Sequence, residues 1–362
     1  MSRLQLILAA AAGLFAVLAL VTALFYGMAP LALLFGAIGV AGIVLSRRPV
    51  SLGLYGLAAL IGAWALLDAL PPDPVNPPWF WVALIGCWLF AWLFLERLTQ
   101  AIRRGQVAPA VGIAIPVIFG LSLLFAWEIV TRGADVPQVI LPAPSQIAAR
   151  LAASIPTLAA DFVQTFKAVL AGFALGCGSG FVVAILVDRS PFLKRGLLPI
   201  GNFVSALPVI GIAPIMVMWF GFDWPSKAAV VVAMTFFPML VNTVAGLNAS
   251  SMIERDLMRT YAANYWETLL KLRLPAAAPF IFNALKINST LALIGAIVAE
   301  FFGTPIVGMG FRISTEVGKL NLDLVWAEIA VAAVAGSAFY GVIALIERAV
   351  TFWHPSIRGG RT

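Results

Sequence analysis

Apolar runs of about 20 residues recur along the whole chain, and this feature decides the class of fold. A transmembrane helix needs about 20 apolar residues, whereas a membrane strand needs about 10 with alternating character. Of the 362 residues, 62% are hydrophobic and 11% are charged, against about 25% charged in an ordinary soluble domain. The sequence therefore predicts an all-α membrane protein.

Ten such runs can be separated, which predicts about ten transmembrane helices. They cover approximately residues 4–26, 30–45, 54–70, 79–95, 109–130, 162–187, 198–220, 228–247, 279–302 and 324–346. No small-x-small cleavage pattern follows the first run, so we interpret it as a retained helix and not as a secretory signal. The proline-rich stretch 71–78 excludes helix and predicts a short rigid loop.

The distribution of lysine and arginine predicts the orientation. With ten spans and both termini in the cytoplasm, most of the 23 cations fall in cytoplasmic segments, as the positive-inside rule requires. The exceptions are Arg132, Arg150, Lys227, Arg312 and Lys319 outside, and Lys167 and Lys286 in or near the spans, where we expect them to snorkel to the interface. The net charge of +7 then reflects topology and not nucleic-acid binding.

The sequence offers no catalytic residues and no metal site. Cys87 and Cys177 lie within apolar runs and are expected to be buried as small apolar residues. His354 is the single histidine, and a metal site needs several ligands. A G-x-x-x-x-G-K-[ST] phosphate loop is absent from the sequence. The chain itself is therefore not expected to be an enzyme or to hydrolyse nucleotide.

Residues 254–275, ERDLMRTYAANYWETLLKLRLP, form the longest strongly polar interval, which we call the polar loop. Its four cations place it on the cytoplasmic side. Leu257, Met258 and Tyr261 recur at helical spacing, which indicates an amphipathic helix. Asn264 and Glu267 have the spacing of a capping box and predict a second short helix. A cytosolic helix–turn–helix with exposed apolar residues indicates a binding partner.

The polar loop resembles the cytoplasmic "EAA" loop of ATP-binding-cassette (ABC) importer permeases. In that pattern an acidic residue, two small or apolar residues, three further residues and a glycine precede an apolar run that ends in Leu-Pro. Here the acidic position is Asp256, the pair is Leu257 and Met258, and the glycine position is Ala262.

The replacement of that glycine by alanine bears on the turn. Alanine disfavours a positive φ, which glycine adopts freely. We therefore expect the turn to use Ala263 and Asn264, because asparagine tolerates the left-handed region.

Four ordered stretches extend the resemblance to the importers of sulfonate, taurine, nitrate, thiamine precursors and riboflavin. They are LPAPSQI, SALPVIGIAPIMVMWFGFDWPSKAAVV, KLRLPAAAPFIFNALKI and AEFFGTPIVGMGFRI. The resemblance covers residues 109–362 and implies a six-helix type I permease core, with residues 1–108 as a four-helix membrane extension.

The resemblance also implies partners. Such permeases work as dimers in the bacterial plasma membrane, here a homodimer, with a cytoplasmic ATPase that binds ATP and magnesium and an extracytoplasmic substrate-binding protein. Membrane lipid is a further partner, and no cofactor is expected in this chain. The residues expected to couple to the ATPase are Arg255, Asp256, Leu257, Met258, Arg259, Ala262, Trp266, Glu267 and Pro275. A pyrimidine, thiamine-precursor or riboflavin-like solute is favoured, with sulfonate, taurine or nitrate as alternatives.

Polar residues and prolines within the apolar runs are candidates for the translocation path: Ser205, Pro208, Asn242 and Glu300. Glu300 is expected to be a gate residue that faces the cavity or an interfacial carboxylate that water reaches. Asn242 is alternatively a hydrogen-bonding contact between helices. The competing function is an ion-coupled secondary transporter, although the sequence shows no convincing pair of inverted repeats.

Overall fold

The computed structural model describes residues 3–25, 36, 37, 40, 41, 44, 51–68, 70, 78–205, 208–303 and 306–353. Within these residues the chain is helical apart from turns and short connections. The apolar run predicted at 30–45 and the proline-rich loop predicted at 71–78 lie largely outside them.

The contacts divide the chain into two compact units, Met1–Ala148 and Ala149–Thr362. The first unit contains α1 (Arg3–Phe25), α2 (Ser51–Asp68), α3 (Pro78–Arg103), a 3-10 turn (Pro109–Ile113) and α4 (Ala114–Gly133). The short helix α5 (Pro144–Ala153) spans the division.

Small and aromatic side chains form the core of the first unit. Ala12 and Ala16 of α1 are fully buried, and Tyr55 of α2 stacks on Phe90 of α3 with ring centroids 6.2 Å apart. Small residues on α1 let its backbone approach the aromatic side chains closely. The boundary predicted at residue 108 marks where the resemblance to the permease family begins. It is a different kind of boundary from the division by contacts after Ala148, and it stays a prediction.

The second unit is a bundle of long helices joined by short ones. In chain order its elements are α6 (Ile155–Arg189), α7 (Pro191–Ser205), α8 (Val209–Phe220), α9 (Trp224–Leu247), α10 (Met252–Thr260), α11 (Tyr265–Thr268), a π-helical turn (Leu269–Arg273), α12 (Leu274–Glu300), α13 (Met309–Gly318) and α14 (Leu322–Val350). Helices α6, α9 and α12 pack side by side, and α14 packs against α12.

Glycine allows the close packing of α6 on α9. Gly172, Gly176 and Gly180 fall four residues apart and therefore share one face of α6. A Cβ atom added to Gly172 would lie 2.4 Å from Cβ of Val231, and one added to Gly176 would lie 2.1 Å from Oγ1 of Thr235. These glycines therefore permit a close approach of the two helices, and α6 continues through them without a break.

Six helices among the described residues are long and apolar enough to cross a membrane. They are Phe80–Arg103, Pro109–Gly133, Ile155–Arg189, Trp224–Leu247, Tyr265–Glu300 and Leu322–Val350. Shorter apolar helices at Ile7–Leu18, Leu52–Asp68 and Val209–Phe220 correspond to three more of the predicted runs. The prediction of an all-α membrane protein is confirmed.

The seventh predicted run differs from the structure. It was expected as one helix over 198–220, but the chain forms α7 and α8, and α7 already begins at Pro191. Proline is favourable at the first position of a helix, because the N–H that it lacks would have no partner there. Pro208 has φ −64° and ψ 122° and directly precedes α8. The boundary between α7 and α8 thus lies inside the predicted span.

Candidate functional site: the polar loop and two polar clusters

The first helix of the polar loop, α10, begins with a capping box. The Glu254 N–H donates to Ser251 Oγ (3.3 Å), and the Ser251 N–H donates to Glu254 Oε2 (2.8 Å). Two backbone donors that would otherwise lack partners at a helix start are thereby satisfied. Helix α10 can therefore hold its shape although none of its residues is buried.

The turn that ends α10 has Ala262 in the left-handed backbone conformation. The φ of Ala262 is 52°, while the Ala262 N–H donates to Arg259 O (2.9 Å) and the Ala263 N–H donates to Met258 O (3.0 Å). This pair of bonds is the Schellman arrangement, which ordinarily has glycine at the left-handed position. The expected turn at Ala263 and Asn264 is therefore wrong, because the two hydrogen bonds hold Ala262 in the conformation that its Cβ disfavours.

Asn264 begins the second helix of the polar loop. Its Oδ1 accepts from the Glu267 N–H (2.9 Å), and its own N–H donates to Glu267 Oε2 (2.9 Å). Asn264 has φ −74° and ψ 175°, which is extended backbone. The capping box predicted at these two residues is confirmed, and the helix–turn–helix of the polar loop is present.

An apolar stripe is exposed along α10. Ile253, Leu257 and Tyr261 recur every four residues and are 82%, 56% and 78% exposed, so they share one face of the helix. Met258, the second residue of the predicted apolar pair, is half-buried. Sequence analysis missed Ile253 because it precedes the polar interval, although its spacing of four from Leu257 was a usable signal.

The charged residues of α10 differ in their surroundings. Asp256 and Arg259 form a solvent-exposed ion pair of 3.3 Å, which suits a surface that meets a partner. Arg255 instead turns back and donates from Nε to Ser250 Oγ (2.9 Å). Arg255 therefore anchors the start of α10, and its predicted part in coupling to the ATPase stays a prediction.

The polar loop is fixed to the end of α6 by a group that we call the proximal cluster: Asp188, Tyr265 and Arg273. Arg273 donates to the two Asp188 carboxylate oxygens at 2.7 and 2.6 Å, and the Tyr265 hydroxyl donates to Asp188 Oδ2 at 3.1 Å. The Asp188 side chain is 4% exposed and that of Arg273 is 12% exposed. A bidentate pair of this kind fixes the orientation of both groups.

Both ends of the polar loop also reach one backbone oxygen at the end of α9. The carbonyl of Leu247 accepts from Arg273 Nε (2.9 Å) and from Arg255 Nη2 (3.4 Å). The last carbonyls of a helix have no partner within the helix, so two guanidinium groups supply one. The loop is thus attached to α9 as well as to α6.

The guanidinium of Arg189 adds a third contact at this end. It lies 5.5 Å from the ring centroid of Tyr265 and 5.9 Å from that of Trp266, which are cation–π distances. Trp266 is half exposed, and Pro275 lies in the first turn of α12. The second part of the polar loop is therefore held on its inner side and open on its outer side.

A second group, the distal cluster, lies at the other end of α6: Asp161, Thr165, Glu300 and Arg312. Arg312 Nε donates to Asp161 Oδ2 at 2.7 Å, and the Thr165 hydroxyl donates to Glu300 Oε1 at 2.8 Å. Asp161 and Thr165 are fully buried and Glu300 is 2% exposed. The hydrogen bond to Asp161 raises the pKa of Arg312 above its usual value, so Arg312 stays charged.

Backbone N–H groups of the segment before α13 complete the distal cluster. The Gly308 N–H donates to Asp161 Oδ1 (2.7 Å), and the Gly310 N–H donates to Glu300 Oε2 (2.7 Å). A Cβ atom on Gly310 would lie 2.1 Å from the Ile297 carbonyl oxygen. Only glycine permits this approach, which explains the last glycine, Gly310, in the stretch AEFFGTPIVGMGFRI.

Lys227 links two chain segments at the same end of the bundle as the distal cluster. Its ammonium donates to the Phe222 carbonyl (2.6 Å) and to the Gly303 carbonyl, and the residue is 2% exposed. The turn before α9 is thereby joined to the end of α12. Sequence analysis counted Lys227 only as an outer charge.

Comparison with known proteins identifies the family. Residues 172–352 match the binding-protein-dependent transport system inner membrane component. The chain belongs to this family. It is therefore an inner-membrane permease subunit of an ABC importer for small solutes, and this assignment replaces the secondary transporter that the sequence had left as the alternative.

Three relatives illustrate the range of this permease family. A riboflavin transport system permease of Chloroflexus aurantiacus is 30% identical over 72% of this chain and 98% of its own length. A formylaminopyrimidine transport permease of Halalkalibacterium halodurans is 31% identical over 66% of this chain and 95% of its own. A putative aliphatic sulfonates transport permease of Bacillus subtilis is 28% identical over 71% and 89%.

The residues predicted for the permease's translocation path do not form one site. The Glu300 carboxylate is buried in the distal cluster, so the expectation that water reaches it is wrong for this chain. Asn242 Nδ2 donates within its own helix to Pro238 O (2.8 Å), and Pro208 is exposed. The side chain of Ser205 lies outside the described residues. A role of these four in transport stays a prediction.

Sequence analysis missed most of the permease's polar contacts. Asp161 directly precedes the apolar run 162–187 and Asp188 directly follows it, and their arginine partners come 151 and 85 residues later. Lys286 was expected to snorkel but pairs with Glu347 at 2.7 Å. The family-like stretches quoted above could have pointed to these contacts, because they contain Lys227, Arg273, Glu300 and Arg312.

Proposed function

We propose that the polar loop is the cytoplasmic surface through which this permease docks a separate ATPase. The observation that carries the proposal is the exposed stripe of Ile253, Leu257 and Tyr261 on α10. Apolar side chains grouped on a capped helix, with charges beside them, are typical of a helix that binds in an apolar groove. The stripe fits a cleft on the ATPase, and the exposed Asp256–Arg259 pair would set its orientation.

The proximal cluster supports a mechanical role for the docked loop. Asp188 joins the loop to α6, and the carbonyl of Leu247 joins it to α9. A displacement of α10 would therefore act on two long helices at once. Coupling between distant sites requires stiff elements of this kind.

The remaining parts of the importer follow from the same proposal. ATP and magnesium would be bound by the ATPase, and a substrate-binding protein would approach the end of the bundle that carries the distal cluster. A second copy of the permease would complete the path, with the termini of both copies in the cytoplasm. Residues 109–362 would be the permease core, since this segment is nearly as long as the 267 residues aligned with the riboflavin relative.

For the substrate we infer a small polar or aromatic solute. The relatives' names include riboflavin, formylaminopyrimidine and aliphatic sulfonates. A pyrimidine, thiamine-precursor or riboflavin-like solute is favoured, because one relative that is 30% identical and one that is 31% identical carry such names.

Replacement of Leu257 by aspartate tests the docking proposal. The full-length permease is purified from its native membranes, and the ATPase is identified by mass spectrometry through its G-x-x-x-x-G-K-[ST] sequence and by ATP hydrolysis. Burial of a carboxylate in an apolar cleft costs about 3 kcal/mol or more, so Leu257→Asp is expected to remove the ATPase. Leu257 is 56% exposed, and the variant should therefore fold.

Ile306→Asp is the matched control. Ile306 is 78% exposed and lies in the connection between α12 and α13, at the end opposite the polar loop. The control is expected to retain the ATPase. Retention of the full amount of ATPase by Leu257→Asp would overturn the proposal.

A further inference from the structure

Glu328 is a buried carboxyl group beside the distal cluster. It is the seventh residue of α14 and is fully buried. Within the described part of the chain, neither of its carboxylate oxygens has a hydrogen-bond partner. Buried polar groups nearly always have such a partner, and an isolated buried charge is unstable in a protein interior. An ionised Glu328 is therefore not compatible with these surroundings.

Asp161 is the group that Glu328 meets. Helix α14 packs on α6, and the Glu328 side chain comes within hydrogen-bonding range of the Asp161 side chain. Two ionised carboxylates repel each other and have no hydrogen between them. A proton on one of the two replaces this repulsion by a hydrogen bond from a carboxylic acid to a carboxylate, which belongs to the strong, charge-assisted class.

The donors around Asp161 indicate which of the two groups carries the proton. Asp161 Oδ2 accepts from Arg312 Nε at 2.7 Å, while Asp161 Oδ1 accepts from the Gly308 N–H at 2.7 Å and from Arg312 Nη2 at 3.4 Å. An ionised carboxylate offers about four acceptor positions. Asp161 can therefore use three of them for these donors and the fourth for a hydroxyl of Glu328.

The balance of charge leads to the same assignment. Three buried carboxyl groups and two cations, each from a different helix, interact at this end of the bundle: Asp161, Glu300, Glu328, Arg312 and Lys227. Glu316 also lies near Arg312 but forms its own ion pair with Lys319. Three negative charges against two positive ones would leave one buried charge without compensation, and one proton makes the group neutral.

A proton fits this site better than a metal ion. Among the residues that the structure describes, no three acidic, cysteine or histidine side chains are arranged to hold a metal. The guanidinium of Arg312, which binds Asp161 directly, would also repel a metal cation at that carboxylate.

We propose that Glu328 carries a proton and donates it in a hydrogen bond to Asp161, so that one bound proton joins α14 to α6. The proton is then a structural ligand of the permease. Its loss would place two negative charges side by side in the interior and weaken the contact between the two helices. The proposal does not depend on the docking of an ATPase, because the polar loop is not part of the site.

The first experiment detects the protonated carboxyl group directly. Full-length permease in lipid vesicles at neutral pH is studied by infrared absorption, in which the carbonyl band of a carboxylic acid is separate from the bands of carboxylates and peptide groups. Glu328→Gln is expected to lower this acid band by one group per chain. An unchanged acid band would mean that Glu328 is ionised and would overturn the proposal.

Glu316→Gln is the matched control for the infrared measurement. The hydrogen bond from Lys319 lowers the pKa of Glu316 below its usual value, so Glu316 is ionised and its replacement should leave the acid band unchanged. Sodium and divalent metal ions are then added to the unmodified permease. Loss of the Glu328-dependent band on addition of an ion would show that a metal takes the place of the proton, which would also overturn the proposal.

The second experiment compares stabilities at neutral pH. Glutamine has the shape of a protonated glutamate and can donate from its amide to Asp161, so Glu328→Gln should keep the midpoint of unfolding of the unmodified permease in a denaturing detergent. Asp161→Asn removes the charge that Arg312 pairs with and should lower that midpoint. A fall with Glu328→Gln as large as the fall with Asp161→Asn would show that Glu328 acts as a charged partner, contrary to the proposal.

Discussion

Asp161 and Asp188 lie near opposite ends of α6, about 40 Å apart along the helix, and each accepts hydrogen bonds from a distant arginine. In the distal cluster around Asp161, the backbone N–H groups of Gly308 and Gly310 add hydrogen bonds to the carboxylates of Asp161 and Glu300. The proximal cluster around Asp188 holds the inner side of a segment whose outer side remains exposed. The distal cluster is therefore buried between helices of the bundle, whereas the proximal cluster fixes a segment that is exposed on its outer side.

The largest expected effect comes from Asp188→Ala, which breaks the proximal cluster. Arg273 and Tyr265 would keep their buried positions without their acceptor, and removal of one partner of a buried ion pair costs about 3–5 kcal/mol. We expect a corresponding fall in the free energy of unfolding of the detergent-solubilised permease, measured by tryptophan fluorescence during titration with a denaturing detergent.

Asp256→Ala is the control for that experiment. Its carboxylate forms an ion pair with Arg259 in which both side chains are more than 60% exposed, and such pairs contribute about 0–1 kcal/mol. Equal destabilisation by the two alanine variants would show that the proximal cluster is no more important than a surface contact.

The second effect concerns the packing that joins the two ends. Gly176→Ala places a methyl group against Thr235 and the backbone of Val232, and overpacking of this kind costs about 1–3 kcal/mol. Gly178→Ala is a matched control on the same helix, because no atom lies within 4 Å of its added Cβ. The control should be neutral or stabilising by up to about 1 kcal/mol. The melting temperature of Gly176→Ala should be lower than that of Gly178→Ala. Identical values would contradict close packing of α6 on α9.

The third effect isolates the distal cluster. Thr165→Val keeps the shape of the side chain but removes the donor to Glu300 and the acceptor of the Met309 N–H, and buried groups that lose a partner cost about 1–3 kcal/mol. Stability should fall while the amount of co-purified ATPase is unchanged. Thr260→Val, at an exposed site on α10, is the control for stability. Loss of the ATPase from folded Thr165→Val permease would disprove the separation of the two ends.

The smallest expected effect is an increase in stability. Ala262→Gly relieves the left-handed conformation at φ 52°, which costs a residue with a Cβ about 1–2 kcal/mol. The greater flexibility of glycine in the unfolded chain offsets part of this. We expect a net stabilisation of about 0.5–1 kcal/mol, measured by the same detergent titration. Destabilisation by this change would mean that the methyl group of Ala262 makes a favourable contact.

The two ends of the bundle also differ in how much of them could be predicted from the sequence. The capping box of Asn264 and Glu267 was found because both partners lie within four residues and their chemistry is local. The apolar runs predicted the long helices for the same reason, since each run contains its own spanning signal. These features need no knowledge of the rest of the chain.

The features that sequence analysis missed depend on the assembled bundle. Asp161 and Arg312 are 151 residues apart, and their pairing follows from the packing of α6 against the segment around α13. Ala262 is held in the left-handed region by hydrogen bonds to Met258 and Arg259, against the local preference of alanine. Glu300 was recognised as unusual, but its burial could not be read from its neighbours in sequence.

The carbonyl of Leu247, which receives both Arg255 and Arg273, has a consequence for how this permease can vary. Every amino acid carries that oxygen, so no substitution at position 247 deletes it. The acceptor that attaches the loop to α9 is therefore a main-chain atom. Only its two donors, the side chains of Arg255 and Arg273, can be lost by substitution.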